Sequence, residues 1–504
     1  MQLGPTEYAH IPVREPLGRV DLAIALGLAA LAAVFLLPGL GTESLTNWDE
    51  AIYGVVVREL LAHPGATLHY GGEPLFAKPP LLFWLMAASS AVLGLTEFAL
   101  RLPSALFGLL TVILAYLAGR ELAGRASGIL AALLLLGVPH FVAWSRLAML
   151  DVPLVAFGLL SVVLILYGER RPGLTIAAGA AFGLAILTKW VAAFLFVPGL
   201  IALVVARRGV HALASREMLA AAGAALLIAL PWHLHQATVY GRDFVESYVL
   251  LHVVKRIEQP FAPLHVGKGT EQSLALQHTG GPSYYFTLYK HDAGLLAPVH
   301  AIGLALAIVI TVRRRDWPSG AVVLLATAPF VSVSFTATKI GWYLIPVYPG
   351  AALATALAVT RLLRSRAAQA AACAVALPLA VSGALDGRGA FVEEYNVLDF
   401  SPEVRALRGV PPFTSPVPLL YVHLVSEPAP SFYLAERIEA LDGPALERLV
   451  ASEAPFLCLT FERDAEKLLQ TNPRAGLRIT ARTTSLAIIE RPQGGRPASI
   501  GSPD

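Results

Sequence analysis

The feature that most limits this chain is a series of eleven apolar runs, at 20–40, 103–119, 127–145, 152–168, 173–188, 191–206, 218–235, 294–312, 319–336, 341–360 and 367–384. Each is close to the ~20 residues that an α-helix needs to cross a bilayer. In hydrocarbon, backbone N–H and C=O groups must be satisfied within the segment, so runs of this length fold as helices. Composition agrees: only 14% of the 504 residues are charged, against ~25% in a typical soluble domain, and the mean hydropathy is +0.63. A soluble globular domain is excluded and a polytopic helical membrane protein is expected. The first run follows Arg14 and Arg19 and looks like a signal peptide. It is long enough to span, and no cleavage motif closes it, so it reads as a retained first span. A net charge of +3 gives no surface for nucleic acid. Cys373 and Cys458 make neither a disulfide framework nor a metal motif.

The loops alternate in character. One set is short and basic: Arg120 with Arg125, Arg170 with Arg171, Arg207 with Arg208 and Arg216, Arg313 to Arg315, and Arg361 with Arg364 and Arg366. Positive loops resist translocation, which places this set and the N-terminus in the cytoplasm. The opposite set then faces outward: 41–101, 146–151, the turn at Lys189, 236–293, 337–340 and everything after 385. Pro79 to Leu95 is apolar but short, and counting it as a span would invert every later cluster. It reads as a re-entrant or interfacial outer helix with Trp84 as an anchor. The expected organisation is a transmembrane domain over 1–384 and an extracytoplasmic α/β domain over 385–504. In the latter, Leu419 to Leu424 and Pro455 to Thr460 read as strands, Pro444 to Ala451 and Asp464 to Gln470 as helices, and Gln493 to Asp504 as a disordered end. The chain has no internal repeat.

The spans look almost free of ionisable residues, and the notable charges gather at their outer ends. Asp49 and Glu50 follow the first span. Loop carboxylates are usually only solvated, but two beside a tryptophan are material for a general base or a cation ligand. Lys78, before Pro79 and Pro80, is either an interface anchor or a rigidly held phosphate ligand. Asp151 is placed to cap the helix that follows and to position a cation or a substrate hydroxyl. Lys189 and Lys339, with Tyr343, put cations and aromatics at outer turns, where positive charge is not needed for topology. That tilts them from belt anchoring toward anion binding. In Asp243 to Arg256, Phe244, Tyr248 and Leu251 form a helical stripe. His252 and Arg256 share a face, flanked by Lys255, as a phosphate clamp. Asp49 and Asp151 are the candidate ligands of a divalent cation; no other cofactor is expected. A phosphate-binding glycine loop, a serine elbow and zinc spacing are all absent.

Taken in order, these residues resemble a known family. Asp49-Glu50 through Tyr53, Arg58 and Glu59 to Lys78-Pro79-Pro80, Trp84, Gly94 and Arg101-Leu102-Pro103 is the most telling stretch. Asp151-Val152-Pro153, Thr188-Lys189, the His252-to-Arg256 helix and Lys339 through Tyr343-Leu344-Ile345-Pro346 follow. The pattern is similar to the bacterial lipid-linked glycosyltransferases of the GT-C fold, in the branch of protein O-mannosyltransferases and the aminoarabinose transferase that modifies lipid A. The resemblance implies that Asp49 is the essential acid of the first outer loop. It implies that Lys78, Lys189, Arg256 and Tyr343 hold the carrier phosphate. Ile52 stands where the aminoarabinose branch has an arginine, and Ala77 where it has a glutamate. Fold and donor class carry over; the sugar and the acceptor do not.

The expected function is inverting transfer of a sugar from a polyprenyl phosphate to a lipid, glycan or other envelope acceptor at the periplasmic face of a bacterial inner membrane. A transporter or flippase of lipid-linked sugars, or a non-catalytic membrane assembly partner, would share the span count. The first should carry polar groups inside its spans, and the second leaves the outer charges without a purpose. The arginine pattern has a direct test. With Cys373 and Cys458 replaced by serine, a cysteine at position 265 should react with an impermeant thiol reagent in spheroplasts, and one at position 210 should not. Labelling at 210 would overturn the topology.

Overall fold

The computed structural model describes residues 16–46, 49–169, 171–255, 258, 281, 283–389, 400–423, 428–452 and 454–492, with the side chains of 251–253 and 255 excepted. It separates into two compact units. The first takes in residues 75–261 and 278–395 together with everything up to Leu40; the second is built from 41–74, 262–277 and 396–504.

All eleven apolar runs are helical. In the first unit they form α1 (Arg19–Leu36), α4 (Glu97–Ala123), α5 (Arg125–Leu136), α6 (Pro139–Ser145), α7 (Asp151–Tyr167), α8 (Pro172–Ala193), α9 (Val197–Arg208), α10 (Arg216–Phe244), α12 (Leu296–Arg314), α13 (Trp317–Ser334), α14 (Val347–Leu362) and α15 (Arg366–Arg388). Among the described residues, eight stretches are long and apolar enough to cross a membrane, or nine if the 74° bent pair of α5 and α6 counts as one. The runs 173–188 and 191–206 lie in one stretch, Pro172–Arg208, broken where Lys189 and Trp190 leave helical geometry. The segment Pro79 to Leu95 yields only α3 (Leu81–Leu93). At ~1.5 Å per residue, its 13 residues fall well short of a bilayer core. The chain is thus a multi-pass helical membrane protein.

Lipid tails are as apolar as leucine, so membrane helices gain from close approach and polar ties rather than from hydrophobic burial. A Cβ on Gly179 of α8 would sit 1.9 Å from the Ala221 carbonyl of α10, and one on Gly383 of α15 would sit 1.9 Å from that of Gly137. Only glycine permits those crossings. The polar ties correct the impression that the spans lack charge. Asp21, in the first turn of α1, is 2% exposed. It accepts hydrogen bonds from Arg120 Nε at 3.1 Å, Arg125 Nε at 2.9 Å and the Tyr116 hydroxyl at 3.0 Å. Glu97, Arg101, Glu121 and His300 are also buried in helices. At the other end of α1, Arg146 donates to the carbonyls of Phe35 at 3.0 Å, Leu36 at 3.1 Å and Pro38 at 2.9 Å. Arg101 donates to that of Leu40 at 2.9 Å. Burial, with the like charge of Arg388 and Arg101, holds Arg146 below the ordinary arginine range, yet a guanidinium stays charged at neutral pH.

The second unit contains more than the tail. Besides the short pair β1 (His69–Tyr70) and β2 (Glu73–Pro74), it has a five-stranded sheet in the order β4 (Ala435–Leu441), β3 (Val417–His423), β5 (Phe456–Phe461), β7 (Leu486–Arg491), β6 (Arg478–Arg482). β3 is parallel to both neighbours, and β7 is antiparallel to β5 and β6. Helices Gly443–Ala451 and Glu462–Thr471 stand where the sequence pattern has them. The first-loop helix α2 (Asp49–Ala62) belongs to this unit. Gly54 leaves room for the Phe432 ring, Arg58 donates to the Ser431 carbonyl at 2.7 Å, and the Leu45 N–H donates to the Tyr433 hydroxyl at 2.8 Å. The reading of 493–504 as disordered falls outside the described residues.

Asp21 carries a prediction about stability. Asp21→Asn leaves the buried Arg120 with only Glu121, at 3.5 Å, as a counter-charge among the described residues and should cost about 3 kcal/mol. Thermal unfolding in detergent measures it, and a variant that melts with the wild type would show that the clamp contributes little.

Candidate functional site

Three of the expected residues meet in the first unit. Asp151 opens α7, but it does not cap the helix as expected: Leu150 is the N-cap residue, and no side chain caps there. Instead the carboxylate turns to α8, where the Lys189 ammonium donates to Asp151 Oδ1 at 2.5 Å. The break at Lys189 and Trp190 is what turns that lysine inward. Its Nζ also lies 5.5 Å from the centre of the Tyr343 ring, a cation–π contact. Asp151 is 3% and Lys189 12% exposed, so the pair is largely desolvated. Asp151 Oδ2 has no hydrogen-bond partner among the described residues. Lys189, with one donor used on Asp151, keeps N–H groups for a ligand.

Aromatic rings cluster next to Lys189 in the chain. Trp190 stacks on Tyr248 at 4.4 Å, and Tyr248 stacks on Phe244 at 4.8 Å. Phe76 packs edge-on against Phe244 at 5.6 Å and Tyr240 at 4.9 Å. The segments carrying Lys78 and Lys189 are therefore tied to one cluster, each through a ring one or two residues away. Tyr248 lies on a π-helix, Val245–Lys255. That winding differs from the α-helix expected there, and a π turn shifts the register of side chains four apart. The side chain of His252, and Arg256 altogether, lie outside the described residues.

Lys339 has another task. It is 3% exposed, and its ammonium donates to the carbonyls of Ser334 and Thr336 at 2.7 Å and of Val333 at 3.4 Å. It neutralises the carbonyl end of α13, where a cation is favoured, and burial lowers its pKa. Asp49 and Glu50 form the first turn of α2 in the second unit. Glu50 is buried and accepts from the Thr46 N–H at 2.9 Å. Among the described residues no three His, Cys, Asp or Glu side chains gather as a metal site. Lys189 already supplies the positive charge beside Asp151, so that locus does not fit a divalent cation.

Several supporting residues escaped the sequence reading. Tyr285, on α11 (Tyr284–Asp292), grips the Ile340 peptide from both sides: its hydroxyl donates to the carbonyl at 3.0 Å and accepts from the N–H at 2.9 Å. His140 Nδ1 stands 2.9 Å from Asp292 Oδ2 and 2.8 Å from the Tyr348 hydroxyl, all fully buried. The His140 ring meets Trp144 edge-on at 4.4 Å, and Trp144 lies 6.0 Å from Trp342. Both sets hold the segment that carries Tyr343. A histidine inside an apolar run was the available signal for His140.

Residues 77–235 match the family described as dolichyl-phosphate-mannose-protein mannosyltransferase. An uncharacterised protein of Aquifex aeolicus is 28% identical over 63% of this chain and 60% of its own length. Undecaprenyl phosphate-α-4-amino-4-deoxy-L-arabinose arabinosyl transferase 1 of Pseudomonas fluorescens is 34% identical over 42% of this chain and 40% of its own. The chain thus spans less than two thirds of these relatives. The crystal structure of ArnT from Cupriavidus metallidurans bound to undecaprenyl phosphate superposes with a TM-score of 0.75, over 94% of this chain and 99% of that one, at 18% identity. The fold is the GT-C fold of membrane glycosyltransferases. Within that class, the overlap with ArnT runs nearly end to end.

The ion pair gives a test by a double-mutant cycle. Asp151→Asn strands a largely buried ammonium and should cost about 3 kcal/mol. Removing both charges, with Lys189→Met added, should restore a good part of it. Additive losses on thermal unfolding would show that the two groups are not coupled.

Proposed function

We propose that this chain is an inverting glycosyltransferase that moves a sugar from a polyprenyl phosphate to a lipid or other envelope acceptor at the periplasmic face of a bacterial inner membrane. The observation that carries the reading is the Lys189 ammonium, held between buried Asp151 and the Tyr343 ring. A fixed, partly desolvated cation beside an aromatic ring suits a phosphate whose hydrocarbon lies along apolar helices. As the glycosidic bond breaks, negative charge grows on the departing phosphate, and preorganised cations stabilise that charge most where water is excluded. Lys189 is the central ligand in this reading, with Lys78, His252, Arg256 and Tyr343 completing the phosphate pocket. Lys339 supports it by fixing the turn before Tyr343. Asp49 takes the acceptor proton or positions the acceptor, with Glu50 bracing the first turn of α2. The arginine-rich loops support an outward-facing site, where nucleotide sugars are not supplied. The activity for which the Pseudomonas relatives are named supports a polyprenyl-phosphate donor.

Purified protein offered labelled sugar on a polyprenyl phosphate should transfer it, and a nucleotide-diphosphate sugar should be inert. Asp49→Asn should lower transfer by at least ~100-fold while the protein remains folded. Movement of the lipid donor across vesicles without transfer would favour a flippase. Transfer from the nucleotide donor alone would end this reading.

A further inference from the structure

A second site lies at the opposite end of the bundle, on the side of the arginine-rich loops. α7 runs from Asp151 to Tyr167, so its far end is roughly 25 Å from the ion pair. There the ends of α7 and α9 and the starts of α8 and α10 line an open pocket of about 350 Å³. Glu169, Thr175, Arg207, Arg208, Ser215 and Glu217 line it.

The two guanidiniums are unusual for a loop end. Arg207 is 7% exposed and pairs in a two-pronged contact with Glu169. Arg208 donates to the Thr175 hydroxyl at 3.2 Å and the Ile165 carbonyl at 2.8 Å, and to no carboxylate among the described residues. Each keeps a buried nitrogen with no acceptor among the described residues: Nη1 of Arg207 and Nε of Arg208. Those two nitrogens are shielded from solvent, so what suits the pocket to an oxyanion is the charge of Arg208, which no carboxylate among the described residues meets by a hydrogen bond.

Directly beneath is a second cavity, of about 270 Å³, which is almost wholly apolar. Phe182, Val197, Ile201, Val204 and Ala222 line it. The two are lined by neighbouring residues of the same helices. Ala212, Ser215 and Glu217 face the upper cavity, while Leu213 and Met218 face the lower. Ile165 lines the lower one while its carbonyl takes the Arg208 hydrogen bond. From Val204 to Val197 the slot runs about 10 Å into the bundle. A basic pocket above an apolar slot between membrane helices has the shape of a lipid: headgroup above, chain below.

The charges select among headgroups. Glu169 is spent on Arg207, while Glu217 lines the same pocket and pairs with no arginine there by a hydrogen bond or ion pair among the described residues. We propose that this is a phospholipid site for a zwitterionic phosphoethanolamine headgroup, with the phosphate on Arg208 and Arg207, the amine toward Glu217, and an acyl chain in the slot. The site is independent of the sugar-transfer reading, since none of its residues belongs to that machinery.

The test is native mass spectrometry of the full chain in detergent, titrated with phosphatidylethanolamine, phosphatidylglycerol or inorganic phosphate. Wild type should retain the ethanolamine lipid in preference to the glycerol lipid, and phosphate alone should not compete at equal concentration. Arg208→Gln should weaken retention by about tenfold or more. Ala222→Trp, at an exposed position of α10, should do the same by filling the slot while leaving the arginines in place. Glu217→Gln should erase the preference between the two lipids. Wild-type retention in Arg208→Gln or Ala222→Trp would overturn the site, as would phosphate competing as well as lipid. A preference for the glycerol lipid, or one unchanged in Glu217→Gln, would overturn the headgroup assignment.

Discussion

The first helix is held to the bundle by guanidinium groups at both of its ends, and the arrangement of the membrane unit depends on those ties. α1 lies at the periphery, with Leu22, Leu26 and Val34 more than half exposed. In a bilayer those side chains gain nothing from choosing protein over lipid. What fixes the helix is polar. At its start, Asp21 sits between Arg120 and Arg125, with Tyr116 completing the cage. At its end, Arg146 and Arg101 gather the carbonyls that a helix terminus leaves unpaired. Each carbonyl left open to hydrocarbon would cost several kcal/mol, about as much as many packing contacts supply. These same arginines lie on α4 and next to α6, so the clamp also sets where α7 begins and hence where Asp151 stands.

Much of this was legible in the sequence. Run length locates the helices, because the bilayer sets the length, but it shows neither the 74° bend inside 127–145 nor the joining of 173–188 and 191–206 into one stretch, so the expected eleven spans are eight or nine among the described residues. The shortness of Pro79 to Leu95 separates α3 from the spans for the same reason. What the sequence could not convey is pairing. Arg120 and Arg125 read only as topology signals because loop arginines usually are; their partner, Asp21, lies about a hundred residues away. Asp21 itself lies inside the run 20–40, where a single carboxylate does not alter the length of the run. His140 was overlooked in the same way, since one histidine among leucines does not alter the hydropathy of a span.

The candidate site shows both sides of this. Asp151, Lys189 and Tyr343 stood out singly because charged and aromatic side chains at span ends are informative. That the first two form an ion pair depends on the break at Lys189 and Trp190, at which no proline or glycine stands. Lys339 shows the opposite case. An isolated lysine at an outer turn suits an anion, but a helix that ends five residues earlier supplies carbonyls first, and those carbonyls took it. Local backbone geometry, which a sequence pattern does not specify, decides between the two.

The helix bearing Asp49 completes its packing against residues near 431 to 435, some 373 positions later in the chain. Closing so long a loop is slow as well as entropically costly. At ribosomal speeds of about 5–20 residues per second, that helix waits on the order of tens of seconds for its partner. Because both segments build one compact unit, they must also reach the same side of the membrane. The membrane helices can therefore be inserted and packed while the Asp49 segment is still unfinished. A chain truncated before its last quarter would leave that segment without the residues it packs against.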